Sequence, residues 1–168
     1  MQEPTSNDAR HVFHRYTLVP VFQTTTEELR EEVVDFWMRE RALPNRAMAE
    51  KRAHELVYVI YADDQEIVGV CTTELVTSQT LKRSAYFLRM FIRPKDRASG
   101  LPQEVIRSAW QHLKSRTPPD GPFGAMIIGE NPKLARPGMM RVLSRRGWSY
   151  LGLNVHHLPV WEKPFSKP

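Results

Sequence analysis

One cysteine in 168 residues leaves no partner for an intramolecular disulfide, so the stapled scaffolds of small secreted proteins are excluded. Cys71 lies inside an apolar run and reads as a small buried hydrophobe. A nucleophilic thiol needs a base beside it, and the sequence identifies none. No apolar stretch approaches the roughly 18 residues of a membrane span. The polar, acidic start MQEPTSNDAR has neither the basic head nor the apolar middle of a signal peptide. Residues 1–10 read as a short flexible arm, residues 11–168 as a single domain, and the protein as cytoplasmic. No His, Cys or carboxylate spacing matches a metal site. Zinc-finger and aromatic RNA-binding signatures are missing as well, which leaves nucleic acid supported by charge alone. There is no internal repeat and no low-complexity tract.

What is present is ordinary globular composition, 41% hydrophobic and 26% charged, with a basic surplus. The formal charge is +5 and the pI about 9.6. Most of the excess follows Lys82, which would attract a polyphosphate or another polyanion.

The β-branched and aromatic run from His11 to Gln23 predicts one strand. Thr25-x-x-Glu28 reads as a capping box. Leu29, Val33, Phe36 and Trp37 follow at helical spacing, so a helix should run to about Arg41 and stop before Pro44. A second helix is predicted over Asn45 to His54. Leu56–Ala62 and Glu66–Val76 form a hairpin around Asp63-Asp64-Gln65, with Gly69 marking a bulge. Ala85–Arg93 is so continuously apolar that it should be central and covered on both faces. Gln103–Ser115 carries one apolar face and reads as a helix. A short strand Gly124–Gly129, a helix Gly138–Arg146 ended by Gly147, and strands Trp148–Leu153 and Val155–Trp161 complete the chain. This order gives an α/β protein with a mixed sheet flanked by helices. Phe36, Trp37, Trp110 and Trp148 fall on apolar stripes and read as core fillers.

The informative stretch is FIRPKDRASGLPQEVIRSAWQHL, Phe91 to Leu113. A central strand ends, the chain turns through Gly100, and a helix begins. Gly100 permits a backbone conformation that other residues resist. The helix aims free amides and the positive end of its dipole at the turn, where a phosphate fits. Lys95 and Arg97 add attraction. Pro102 is sterically welcome in a first helical turn but removes one donor.

The residues Ile92 to Pro102 resemble the cofactor motif of the GNAT family of N-acetyltransferases. The match is carried by Ile92, Pro94, Arg97, Ala98, Ser99 and Gly100, while Pro102 stands where the family has Gly or Ala. Element order from about Val21 to Phe165 follows the family, and Arg145-Arg146-Gly147-Trp148 resembles the ending of its last helix. The resemblance implies a central mixed, mostly antiparallel twisted sheet flanked by helices. It implies acetyl-CoA as co-substrate, in a V-shaped opening between Ala85–Arg93 and Gly124–Gly129. The pantetheine arm would pair with the main chain at Met90, Phe91 and Ile92, and the pyrophosphate would rest on the amides of Arg97, Ala98, Ser99, Gly100 and Leu101. Asn131 matches a residue that contacts the cofactor arm. A primary amine, on a small molecule or a peptide, would attack the thioester directly, with an amide near Ile92 holding the developing oxyanion. Relatives often dimerise through the late strands, so a homodimer is one expectation.

The catalytic pattern departs from the family at Leu143, where many members have a Tyr that protonates the leaving thiolate. Ser144 and Tyr150 lie nearby, and water is a further proton source. Glu130 leads the candidates for the base, ahead of Glu74 and of His156 and His157, one of which should point inward from a late strand. His11, His14, His54 and His112 read as surface or packing residues. Arg136, Arg141, Arg145 and Arg146 are solvated, or reach the cofactor's 3′-phosphate or an acidic partner. Met139 and Met140 read as packing. Two functions remain: an N-acetyltransferase, or a scaffold of the same fold without catalysis, working in a larger assembly. The acceptor is not legible, because one architecture serves many amines.

Overall fold

The computed structural model describes residues 10–78, 82–97, 100–130 and 136–166. Eight strands form one sheet: β1 (His11–Phe13), β2 (Tyr16–Pro20), β3 (Leu56–Tyr61), β4 (Ile67–Ser78), β5 (Arg83–Ile92), β6 (Gly124–Ile128), β7 (Ser149–Leu153) and β8 (Pro159–Pro164). Four helices accompany them: α1 (Glu27–Arg39), α2 (Arg46–Ala53), α3 (Leu101–Arg116) and α4 (Pro137–Arg145). The strand order is β1-β2-β3-β4-β5-β6-β8-β7, and β5–β6 is a parallel pair in an otherwise mainly antiparallel sheet. The expected mixed sheet flanked by helices is therefore present.

The backbone divides into two compact units, Met1–Thr73 with Met90–Arg116, and Glu74–Arg89 with Thr117–Pro168. The division falls within β4 and β5. In the first unit, the run predicted as one strand is a hairpin. Phe13 pairs with Tyr16, and His14 turns the chain at φ 53°. Capping of α1 also differs from expectation. Thr26, not Thr25, is the cap, and its hydroxyl accepts the Leu29 amide at 3.2 Å. Thr25 is bonded instead by Arg30, through its carbonyl and its hydroxyl. Asn45 caps α2 through the Met48 amide.

Val33, Val34, Phe36 and Trp37 of α1 bury against Ala49 and Ala53 of α2 and Leu56, Val59 and Val70 of the sheet. Val105, Ala109 and Leu113 of α3 are fully buried. Trp110 is only half-buried, with the Lys114 ammonium 5.2 Å from its ring centre. The β3–β4 pairing skips Val68 between Ile60↔Gly69 and Tyr61↔Ile67, so the bulge is beside Gly69. A Cβ on Gly69 would lie 3.0 Å from Ile92 Cγ1 and 3.1 Å from the Phe91 carbonyl, so a side chain there would force its neighbours to give by a few tenths of an ångström.

In the second unit, Tyr86, Phe87 and Leu88 pair with Ala125, Met126 and Ile127. β6 then pairs with β8 along five residues, and β7 closes the sheet. β5 is less enclosed than its apolar sequence suggests. Ala85, Leu88 and Ile92 are buried, whereas Tyr86, Phe87, Met90 and Phe91 are half-buried.

Candidate functional site

The end of β5, the turn after it and the start of α3 all belong to the first unit. Pro94–Asp96 forms one 3-10 turn. Its anchor is a buried ionic cluster absent from the sequence reading. Arg93 Nε donates to Asp96 Oδ2 at 2.5 Å, and Arg93 Nη1 donates to Glu66 Oε1 at 2.9 Å. The Tyr16 hydroxyl donates to Asp96 Oδ1 at 3.2 Å. Arg93 is 7% exposed and Asp96 4%, so both charges depend on these partners. Burial works against the Arg93 charge, but its hydrogen bonds to Asp96 and Glu66 outweigh it and hold the guanidinium pKa above its ordinary value. Burial, reinforced by the Asp96 charge, pushes the Tyr16 phenol up. The cluster pins the turn to β2 and to the residue just before β4.

Backbone direction follows from one bond. The Arg93 amide donates to the Val68 carbonyl of β4 at 2.8 Å. Backbone groups of successive strand residues face opposite edges, so the amide and carbonyl of Ile92 face away from β4. Arg97 Nε confirms that side by donating to the Ile92 carbonyl at 2.9 Å. The exposed Arg97 guanidinium also lies 5.9 Å from the centre of the Phe91 ring.

Gly100 has φ 84°, the left-handed conformation the turn requires. Glu104 donates the first helical bond of α3 to the Gly100 carbonyl at 3.0 Å. The amides of Gly100, Leu101 and Gln103 precede that bond, and Pro102 has none, leaving three donors where a helix without proline has four. The Arg97 amide is not among the donors expected for an anion, because it bonds the Pro94 carbonyl at 3.3 Å. What Arg97 offers is its side chain. Ala98 and Ser99 lie outside the described residues.

Glu104 places a carboxylate in the first turn of α3, where it would oppose a second anion. Two side chains hold it. Arg107 Nε donates to Glu104 Oε2 at 3.0 Å and Arg107 Nη2 to Oε1, while His11 Nε2 is 2.6 Å from Oε1. Arg107, then His11, hold the Glu104 carboxyl below the usual range.

The remaining candidates belong to the second unit, apart from Cys71. Glu74 is ion-paired with Arg89. Glu130 is exposed just beyond β6, and Asn131 lies outside the described residues. The histidine expectation is overturned: His156 and His157 are exposed residues of the β7–β8 turn, not strand residues. Asn154 makes that turn by accepting the amides of His156 and Leu158, with His157 at φ 59°. Leu143 is buried on α4, and Tyr150 lies with its ring 5.1 Å from that of Trp161. Cys71 is fully buried, which pushes its thiol up to about 12 and makes it inert as a nucleophile.

No protein-family model matches the sequence, and no curated protein matches it. Solved structures do match its fold. The ribosomal-protein-S5-alanine acetyltransferase of Vibrio fischeri superposes with a TM-score of 0.61, covering 96% of this chain and 100% of that one at 14% identity. A GNAT-family acetyltransferase from Brucella melitensis, solved in complex with acetyl-CoA, gives 0.56 over 92% of this chain and 91% of its own at 15% identity. The Salmonella typhimurium enzyme that modifies the N-terminal serine of ribosomal protein L7/L12 gives 0.56 over 90% and 96% at 12% identity. The fold is that of the GNAT acetyltransferases. The GNAT fold accommodates both departures in this sequence: Pro102 enters the first turn of α3, and Leu143 fills the buried side of α4. Among the described residues, no helix is long and apolar enough to cross a membrane.

Proposed function

We propose that the protein is an acetyl-CoA-dependent N-acetyltransferase acting on a primary amine. The observation that carries the proposal is the strand-turn-helix of residues 90–116. It combines a left-handed Gly100, two amides at the start of α3, an exposed Arg97 guanidinium and an outward-facing Ile92 amide. Acetyl-CoA supplies the activated acetyl thioester. Leu101 and Gln103 donate to its pyrophosphate, and Arg97 neutralises charge beside them. Main-chain groups of Met90, Phe91 and Ile92 orient its arm. The Ile92 amide stabilises the oxyanion that develops as the amine attacks, and the CoA thiolate leaves. Glu130 is the proposed acceptor of the amine proton, and solvent protonates the thiolate.

Peptide α-amines head the list of acceptors, because one enzyme of this fold modifies the N-terminal serine of a ribosomal protein. Calorimetric titration with acetyl-CoA, and with CoA in parallel, tests the reading. Micromolar binding supports it, and no heat at millimolar ligand refutes it. Gly100→Val should remove binding while the circular dichroism spectrum persists, since a side chain in this conformation costs about 1–2 kcal/mol locally. Unchanged affinity would separate the turn from the phosphate. With an acceptor in hand, Glu130→Gln should lower kcat by about 100-fold or more and leave the acetyl-CoA affinity intact. An unaltered kcat would remove Glu130 from the mechanism.

A further inference from the structure

From Asn131 to Trp161 the chain contains no Asp or Glu, yet it contains Lys133, Arg136, Arg141, Arg145 and Arg146. The four arginines border or belong to α4 and are all exposed. None makes an ion pair with a described residue. Several arginines elsewhere are paired: Arg46 with Asp35 and Glu50, Arg83 with Glu162, Arg89 with Glu74, and Arg93 with Asp96 and Glu66. Among the described residues the positive charge of α4 is thus left unanswered, and four like charges along three helical turns repel one another.

The helix leads through Gly147, at φ 85°, directly into β7 and packs against it, with Leu143 and Trp148 buried. β7 is the last strand of the sheet, so among the described residues one of its edges carries no partner strand. Edge strands are usually guarded by charge or proline, and Ser-Tyr-Leu-Gly-Leu has neither. Its apolar side chains are in solvent: Leu151 is 51% exposed, Leu153 59% and, just beyond the strand, Val155 88%.

We propose that α4 and β7 form a docking surface for an acidic polypeptide segment that also carries apolar residues. Its carboxylates pair with the α4 arginines, and its apolar side chains cover Leu151, Leu153 and Val155. A polypeptide fits better than RNA. A nucleic acid would answer the charge but leave the leucines wet, and Tyr150, the exposed aromatic of β7, is already packed on Trp161. A second copy of this chain is disfavoured, because it would bring one acid-free basic helix toward another. The proposal is independent of acetyl transfer.

The test is fluorescence anisotropy with the full-length protein and three labelled probes: a short peptide of alternating Glu and Leu, its Lys–Leu counterpart, and an oligouridylate of similar length. The Glu–Leu peptide should bind and should weaken as salt rises, since surface charge is screened within about 10 Å at 0.1 M salt. Arg141→Gln with Arg145→Gln should weaken it by about tenfold or more. Leu151→Ser with Leu153→Ser should weaken it independently of salt. The more conservative Arg141→Lys with Arg145→Lys retains the charge and should retain most of the binding, which guards against a loss caused by misfolding. Equal binding of the Lys–Leu peptide would reduce the surface to nonspecific apolar adhesion and overturn the proposal. So would binding of the oligouridylate in place of the acidic peptide, or an affinity indifferent to the arginine substitutions.

Discussion

Asp96 holds a buried negative charge answered by Arg93 and Tyr16, and the turn between β5 and α3 is built on it. Asp96→Ala would leave the Tyr16 hydroxyl without this acceptor and the Arg93 guanidinium with Glu66 alone. Breaking a buried pair from one side costs about 3–5 kcal/mol, so urea unfolding should show a loss of that order. A loss below about 1 kcal/mol would mean that water replaces the carboxylate and that the cluster does not hold the turn. Glu104 gives a pH signature. Its carboxyl is held below the ordinary 4.5, so the stability it contributes is complete above that value and is lost as the pH falls through its lower native value. The stability difference between wild type and Glu104→Gln should be constant near neutrality and shrink by about pH 3. A difference that stays flat into acid would dissociate the carboxylate from Arg107 and His11. At this scale the sequence disclosed the turn at Gly100 and the helix after it, because a turn into a helix leaves a local signature. It did not disclose Asp96, whose partner Tyr16 is 80 residues away. Nor did it show that the Arg97 amide would be consumed by its own turn.

Helices were the most legible elements, because one apolar stripe at 3.6-residue spacing specifies both helix and buried face. Strands were less so. His11–Gln23 holds no Gly, Asn-Gly or Asp-Gly to announce a hairpin, and His14 takes a positive φ that its side chain type does not advertise. The late turn was missed for a similar reason: Asn154 organises it by side-chain bonding, whereas the apolar residues around it read as strand. Two glycines make the β6–β8 contact testable. A Cβ on Gly124 would sit 2.3 Å from the Lys163 carbonyl and 2.7 Å from Pro164 Cα, so strand must move against strand. Gly124→Ala should destabilise by about 1–3 kcal/mol or more in thermal unfolding. Gly138 has nothing within 4 Å of the same position, and Gly138→Ala in α4 should raise stability by up to about 1 kcal/mol. Equal effects at the two sites would contradict the packing described for β6 and β8.

For the whole molecule, composition and element order sufficed for the fold class, since a hairpin-rich middle and a strand-helix-strand unit leave few architectures. They did not show that the backbone gathers into two units that exchange chain segments. The first unit needs residues up to Thr73 and again from Met90 to Arg116, and the second takes Glu74–Arg89 before resuming at Thr117. Emerging from a ribosome, α1, α2 and β3 would have to wait for α3 before their unit closed, and the bond from Tyr16 to Asp96 could form only after 80 residues of synthesis. Distant pairings of this kind slow folding. The nascent chain therefore carries an exposed, half-assembled sheet through much of its translation, and the speed of elongation becomes part of how this protein reaches its native state.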